Sequence, residues 1–297
     1  MSTTSILRAS LARDGFVIIP KAIREPRLTQ LRLAAHEAAQ LARAGKWQWI
    51  RTLPKQFPPW KESDISHGIW GVQHLLHPSM PNSSLFASSY FDSTIMSPAK
   101  ELLSTDSTAC KDGDLVMELY NLLIRPDHDF ELVWHRDDIP PTATAEEERE
   151  RLGGKAWHAQ WNLALYDDAS LIVVPGSHVR ARTEEERNAD PKEKVLSGMI
   201  VVKLEAGDVV FYNNNILHRG VYDSTVERLT LHGSVGHLNG QAERARNVLQ
   251  HGVGSWVGEA DFGELDGETR KRAEGMRERL VEMGKAAGEV GYFQEDV

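Results

Sequence analysis

The sequence predicts a mainly β fold with flanking helices, because its character changes near Val116. From there, short runs rich in β-branched and aromatic residues alternate with turn residues, as expected for the strands of a sheet or barrel. Five such runs stand in the second half: VMELYNLLI (116–124), LIVV (171–174), MIVVKL (199–204), DVVFY (208–212) and RLTLHGSV (228–235). The second half is therefore predicted to be mainly sheet.

The first half and the tail carry the helical patterns. The run GFVIIP (15–20) predicts one buried strand, and Pro26 at a first helical position begins an amphipathic helix that ends before Gly45. Residues 46–99 hold four tryptophans among prolines and serines without a clear period, so we expect irregular structure with short helices. Two charged runs (142–154 and 183–194) read as a helix-like insertion and a polar segment, and 264–288 is helix-prone.

Size and composition favour one folded domain over residues 1–297. We expect a β core at about 110–240, a helical and Trp-rich part at 1–109 and a helical region at 241–297. With 41% hydrophobic and 26% charged residues the chain can form a sizeable core. A net charge of −9 without a basic cluster argues against nucleic acid as a partner.

The remaining composition bears on location and partners. Cys110 is the only cysteine, which excludes an internal disulfide, fits a reducing compartment and reads as a small apolar filler. No stretch approaches the ~20 apolar residues of a membrane span. We therefore expect a soluble, intracellular, cytoplasmic protein that acts on a small molecule, with the oligomeric state open and a homodimer among the options.

The triplet His135-Arg136-Asp137 has two functional interpretations. A kinase catalytic loop is excluded, because position 142 is Thr where that loop needs Asn and no Gly-rich phosphate loop precedes it. In an extended strand, however, residues two apart share a face, so His135 and Asp137 can both point at one metal ion. His218, which follows the DVVFY run, would complete the two-histidine, one-carboxylate set of non-heme Fe(II) oxygenases.

Arg228 adds a second element to this hypothesis. It comes ten residues after His218, and strand alternation places it on the same face as Thr230. An inward guanidinium needs an anion, and its rigid fork suits a carboxylate. A dicarboxylate co-substrate held between iron and Arg228 accounts for both features.

The chain resembles the phytanoyl-CoA dioxygenase family of Fe(II)- and 2-oxoglutarate-dependent oxygenases. The resemblance covers about 15–235 and rests on DGFVIIP, WHRDD (134–138), SLIVVPGSH (170–178), AGDVVFYNNNILHRG (206–220) and Arg228. It implies a double-stranded β-helix core of the jelly-roll, cupin-like type. It also implies Fe(II) ligation by His135, Asp137 and His218, with 2-oxoglutarate and O2 as co-substrates and succinate as a product.

Further roles follow from the same resemblance. Arg228 would bind the distal carboxylate of 2-oxoglutarate, Trp161 would line the co-substrate pocket, and Thr230 would add a hydroxyl donor. The carboxylate of Asp137 disfavours halogenation and leaves hydroxylation, desaturation or another oxidative rearrangement of a small organic substrate, with hydroxylation the most favoured. Two alternatives stay open: a cupin-like metal protein with non-oxidative chemistry, and a non-catalytic binding protein.

Three segments lie outside these assignments. Residues 167–170 (DDAS) depart from the Asn-Gly that the family commonly has before this strand, and the insertion 139–156 could form a lid. His178 lies in a Pro-Gly-Ser-His turn and is expected to be structural. The Trp-rich segment could line an apolar pocket for a hydrophobic small molecule, although the same tryptophans could simply pack the barrel against its helices.

Overall fold

A computed structural model describes residues 5–240, 244, 248–249 and 251–287. Its strands are β1 (Phe16–Ile19), β2 (Ile50–Thr52), β3 (Ile69–Val72), β4 (Leu115–Ile124), β5 (Phe130–Glu131), β6 (His158–Ala164), β7 (Leu171–Val174), β8 (Ile200–Val201), β9 (Val209–Tyr212), β10 (Leu217–Tyr222) and β11 (Leu229–His237). Its helices are α1 (Ile6–Asp14), α2 (Arg27–Arg43), α3 (Ser83–Tyr90), α4 (Ser93–Leu103), α5 (Ala145–Gly153), α6 (Glu184–Asn188) and α7 (Gly267–Ala287).

The strands form two antiparallel sheets. Within the described residues the larger sheet has the order β1-β9-β6-β11-β4-β3-β2, and the smaller one has the order β5-β10-β7-β8. Side chains from both sheets pack against each other, as Val173 of β7 does in one cluster with Val210 of β9. This jelly-roll arrangement confirms the predicted β core with flanking helices. Helix (38%) nevertheless exceeds strand (21%), so the description as mainly β applies to the core alone.

Helices α2 and α7 pack against the larger sheet. Helix α2 buries its small apolar side chains, including Leu31, Ala35 and Ala38, against this sheet in the main hydrophobic cluster. Its predicted position is confirmed to within a residue, although Pro26 caps the helix rather than beginning it. Helix α7 adds the buried side chains of Met276 and Leu280 to the same cluster.

The prediction for residues 46–99 is partly wrong. The segment contains the helices α3 and α4, but it also contributes β2 and β3, which extend the larger sheet beyond β4. Both strands are short, and β3 includes Trp70 and Gly71, so neither shows a regular apolar period. Pairing of β3 with the longer β4, and of β2 with β3, explains why they are strands, rather than local pattern.

The charged insertion forms α5, which begins with a capping box between Thr144 and Glu147. Glu148 on this helix is completely buried and pairs with Arg182 and Arg187. The second charged run includes α6, and the predicted C-terminal helix is present as α7; residues 288–297 lie outside the described part. None of the helices in the described ranges has the length and apolar character needed to span a bilayer.

Candidate metal centre

Backbone hydrogen bonds bring the three candidate ligands together. His135 follows β5 and exchanges two backbone hydrogen bonds with His218 of β10, at 3.0 and 3.1 Å. The N–H of Asp137 donates to the carbonyl of Asn214 at 2.9 Å. The stretch from His135 to Asp137 is thus an isolated bridge rather than the regular strand that the sequence predicted. The side chains nevertheless alternate as predicted, because Arg136 is buried on the side opposite to His135 and Asp137.

The ligand atoms converge on one point. Nε2 of His135 lies 3.5 Å from Oδ1 of Asp137, and Nε2 of His218 lies 3.6 Å from the same oxygen. The three residues form a group whose ligand atoms all lie within 4.8 Å of one another. This is the set of residues that the sequence proposed for the metal.

Hydrogen bonds fix the tautomer of both histidines. Nδ1 of His135 donates to the carbonyl of Val133, and Nδ1 of His218 donates to the carbonyl of Ile216, each at 2.8 Å. A carbonyl oxygen only accepts, so the ring proton sits on Nδ1 and the lone pair of Nε2 faces Asp137. Burial, reinforced by the neighbouring His218, holds the pKa of His135 well below its usual range, which keeps the ring neutral.

Gln160 of β6 orients the carboxylate ligand. Its Nε2 donates to Oδ2 of Asp137 at 2.9 Å, which leaves Oδ1 directed at the two imidazoles. Gln160 is a functional residue that the motifs of the sequence do not reveal. The alternation of polar side chains at His158, Gln160 and Asn162 along β6 is the pattern that could have found it, since all three line the cavity beside the ligands.

Arg228 and Thr230 share one partner. Nε of Arg228 lies 3.0 Å from Oδ2 of Asp168, and the hydroxyl of Thr230 donates to the same oxygen at 2.6 Å. Burial raises the pKa of Asp168, but the charge of Arg228 and the hydrogen bonds from Ser170 and Thr230 outweigh it and hold the pKa at about 2. The charge of Arg228 is thus already balanced by a carboxylate of the chain itself.

The ligands open into a cavity of about 200 Å³. Its aromatic walls come from Phe57, Trp60, Trp70, Tyr212 and Tyr222. Polar groups include the ligands, Arg51, Arg228 and Ser170. No residue of 139–156, all of which the structure describes, lines this cavity, so the insertion does not act as its lid in this conformation.

Comparison with known protein families decides the assignment. The model of the family described as Phytanoyl-CoA dioxygenase (PhyH) matches residues 11–225. The chain belongs to this family. It is accordingly a non-heme iron enzyme that depends on 2-oxoglutarate. No curated protein matches the chain in sequence.

Solved structures with this fold share little sequence with the chain. EctD from S. alaskensis, solved with 2-oxoglutarate and 5-hydroxyectoine, has 17% identity and a TM-score of 0.57 over 80% of this chain and 78% of its own. HygX from Streptomyces hygroscopicus, solved with nickel and 2-oxoglutarate, has 16% identity and a TM-score of 0.52 over 80% and 88%. The epimerase SnoN from nogalamycin biosynthesis has 18% identity and a TM-score of 0.50 over 78% and 79%. These likenesses concern the fold.

The family resemblance predicts that Trp161 lines the co-substrate pocket, and for this chain that prediction is wrong. Trp161 is fully buried on the opposite face of β6, with ring centroids 5.5 Å from Tyr90, 6.4 Å from Tyr120 and 5.7 Å from Phe211. It fills the core between the larger sheet and α3 and does not line the cavity. Alternation along β6 explains this, because Gln160 and Asn162 take the inward positions.

The expectation for Thr230 also changes. Its hydroxyl is committed to Asp168 and does not line the cavity, so in this structure it holds that carboxylate rather than facing a co-substrate. The departure at 167–170 from the family's Asn-Gly thus lies at the site itself. Ser170 donates its backbone N–H to Oδ1 of Asp168 at 2.8 Å, which stabilises the turn locally.

The other histidines and the cysteine lie outside the centre. His178 bonds the carbonyl of Ala12 at 3.2 Å and is structural, as predicted, while His232 lines the cavity and bonds Asn162 at 2.8 Å. Cys110 and His237 form a second group with Asp114. Burial, followed by the charge of Asp114, raises the pKa of the Cys110 thiol to about 11, so it stays protonated.

Proposed function

We propose that this chain is a hydroxylase that holds Fe(II) with His135, Asp137 and His218. It uses 2-oxoglutarate and O2 as co-substrates and oxidises a small organic molecule. The observation that carries the proposal is the convergence of the Nε2 atoms of two imidazoles and one carboxylate oxygen at a cavity that also presents arginine. Such a ligand set leaves positions open on the metal for co-substrates.

The residues fit the group that the family implies. Two imidazoles and one carboxylate are the donors of non-heme Fe(II) oxygenases, and both imidazoles offer the correct nitrogen because their Nδ1 protons are engaged. When bound, the iron supplies O2 activation coupled to the oxidative decarboxylation of 2-oxoglutarate to succinate and CO2.

The protein's own part is positioning and exclusion of water. Gln160 fixes the rotation of the Asp137 carboxylate, and the backbone carbonyls fix both imidazole planes. Phe57 packs its edge against His135 with centroids 5.6 Å apart, and Tyr212 packs against His218 at 5.5 Å. These aromatic contacts shield the two imidazoles from water and leave the cavity as the approach for a substrate.

The cavity also limits the class of substrate. Indole and phenol rings form much of its wall, which suits a small molecule with an apolar portion. The carboxylate of Asp137 occupies the position that a halide would need, which favours hydroxylation over halogenation. We propose such a molecule as the partner of this site, with no role for nucleic acid or membrane.

Succinate formation tests the proposed activity. We expect the purified protein to convert 2-oxoglutarate to succinate slowly without substrate, in a reaction that needs Fe(II) and stops on chelation. Asp137→Ala removes one of three metal ligands, so the variant should lose both iron and turnover. Asp106→Ala, which alters a carboxylate with an 88% exposed side chain, serves as the matched control and should behave as wild type. Full succinate formation by Asp137→Ala would contradict the ligand assignment.

The type of oxidation is tested by product mass. Hydroxylation adds one oxygen atom derived from O2 to the substrate, so candidate substrates incubated under ¹⁸O2 should gain one labelled oxygen. Epimerisation, the activity named for SnoN, leaves the mass unchanged. If 2-oxoglutarate turnover yields a substrate-derived product of unchanged mass, hydroxylation is excluded and the assignment of the iron centre stands.

A further inference from the structure

Arg51 is a second arginine in the cavity. Gly71, Trp60 and Trp70 fix the position of its side chain. It lies on the edge strand β2 between the buried residues Ile50 and Thr52, so its side chain takes the opposite face of the strand and reaches the cavity. Its cross-strand partner is Gly71 of β3. A Cβ at Gly71 would lie only 2.9 Å from Cδ of Arg51, so the glycine provides the space for the arginine stem.

Two tryptophans hold the guanidinium. Its carbon lies 4.9 Å from the ring centroid of Trp70 and 5.2 Å from that of Trp60. Both indole N–H groups donate to the carbonyl of Lys55, at 3.0 and 3.1 Å, so the two rings are fixed before any ligand arrives. Cation–π contacts of this kind orient an arginine without neutralising it.

The part of the chain that the structure describes supplies no counterion for Arg51. Among the described residues Arg51 forms no ion pair and no hydrogen bond through its side chain, and its Nε is buried without a partner. Burial lowers the pKa of Arg51 to about 10, which still leaves it protonated at neutral pH. Arg51 is partly buried, and holding such a cation without a partner is costly, so a bound anion relieves that cost.

Arg228 shows the opposite situation. Its Nε is paired with Asp168, which neutralises the charge, and its buried Nη1 has no hydrogen-bond partner in the described part of the chain. The two arginines stand along one wall: Arg228 stacks 4.4 Å from the Tyr222 centroid, and that ring lies 6.0 Å from Trp70, which carries Arg51. The positive charge available on this wall is therefore that of Arg51.

We propose that Arg51 binds the distal carboxylate of 2-oxoglutarate together with the free Nη1 edge of Arg228. This inference rests on the proposed function, because it concerns the co-substrate of the same site. A dianion chelated at the metal through one end presents its second carboxylate to the wall of the cavity. Arg51 supplies the net charge for that carboxylate, and Arg228, held by Asp168, supplies a fixed hydrogen-bond donor.

The test is an anaerobic titration of the Fe(II)-loaded protein with 2-oxoglutarate, followed by the visible charge-transfer band of the complex. Arg51→Gln should raise the Kd for 2-oxoglutarate about 10- to 100-fold, as expected for loss of a charge-assisted contact. Arg51→Lys keeps the charge without the fork and should fall between that variant and wild type. The affinity for Fe(II) should stay unchanged in both, which serves as the control for folding.

A second ligand separates binding from a structural effect. The probe 2-oxovalerate keeps the metal-chelating end of 2-oxoglutarate and lacks the distal carboxylate, so its Kd should differ less than about twofold between Arg51→Gln and wild type. Gly71→Ala is a second variant that keeps every charge. It displaces the stem of Arg51 and should weaken 2-oxoglutarate several-fold while sparing 2-oxovalerate.

The outcomes are distinct. An unchanged Kd for 2-oxoglutarate in Arg51→Gln overturns the inference and leaves Arg51 available to an acidic group of the main substrate. Equal weakening of both ligands also overturns it, because Arg51 would then only support the shape of the site. Absence of the band in folded wild-type protein removes the proposed function, and this inference with it.

Discussion

Glu148 on α5 balances the charges of two buried arginines and of the more exposed Arg187, and replacing it should be costly. Its carboxylate, with no exposed surface, bonds Arg182 through Oε1 and lies 2.5 Å from Nη2 of Arg187. Nε of Arg136 lies 3.6 Å from Oε1. Glu148→Gln therefore removes the negative charge that these cations share while keeping the shape of the side chain.

The magnitude follows from the burial of these groups. Breaking a buried ion pair by removing one partner typically costs about 3–5 kcal/mol, because the remaining charge is left uncompensated. Arg182 and Arg136 have side chains that are only 5% and 0% exposed, so solvent cannot take over the role of Glu148. We expect a loss of about 3–5 kcal/mol in the free energy of unfolding.

The metal centre should respond as well. Arg136 stands between the ligands His135 and Asp137, and its guanidinium donates to the carbonyls of Ser177 and Asn215. A shift of Arg136 would move the backbone that carries both ligands. We therefore expect the affinity for Fe(II) to fall several-fold in Glu148→Gln.

Urea unfolding and metal titration measure both effects. The matched control is Glu150→Gln, since Glu150 is exposed on the same helix and should lose less than about 0.5 kcal/mol. If Glu148→Gln unfolds within about 1 kcal/mol of wild type, the reasoning from uncompensated buried charge is refuted.

Three further predictions concern the site. Gln160→Leu removes the hydrogen bond to Asp137, so metal affinity in a Co(II) titration should fall about 10- to 100-fold; an unchanged affinity would show that Asp137 needs no such support. Trp161→Phe should lower stability by about 1–3 kcal/mol in urea unfolding and leave the Kd for 2-oxoglutarate unchanged, whereas a weaker Kd would return Trp161 to the pocket. The pKa of Asp168 is lowered from 3.8 to about 2, so its contribution of about 2 kcal/mol is complete above pH 4 and lost as the pH falls through 2. Unfolding measured from pH 5 to 2 should show this loss in wild type and not in Asp168→Asn; parallel curves would contradict the assignment.

Local pattern and spacing could predict the ligands but not what surrounds them. The sequence could predict the ligands His135, Asp137 and His218. Side chains two residues apart in a strand share a face, and an apolar strand precedes His218. Alternation along β6 could also predict Gln160, whereas the family resemblance implies a role for its neighbour Trp161. Successive side chains of β6 point to opposite faces, so Gln160 contacts Asp137 and Trp161 packs in the core.

The second arginine could not be predicted from the sequence. Arg51 lies 84 positions before His135, in a segment whose tryptophans show no period, and only pairing of β2 with β3 brings it to the cavity. The sequence shows Asp168 as a departure from the Asn-Gly that the family commonly has in this loop. Its ion pair with Arg228, however, joins residues 60 positions apart. Both depend on tertiary contacts, which a single sequence does not report.

The most direct test of the proposed centre is an anaerobic titration of Fe(II) and 2-oxoglutarate into the wild-type protein. We expect a visible charge-transfer band that saturates at one iron per chain and is lost in both Asp137→Ala and His218→Ala. Folded wild-type protein that shows no band at saturating Fe(II) and 2-oxoglutarate would contradict the central claim that these three residues form an iron and 2-oxoglutarate site.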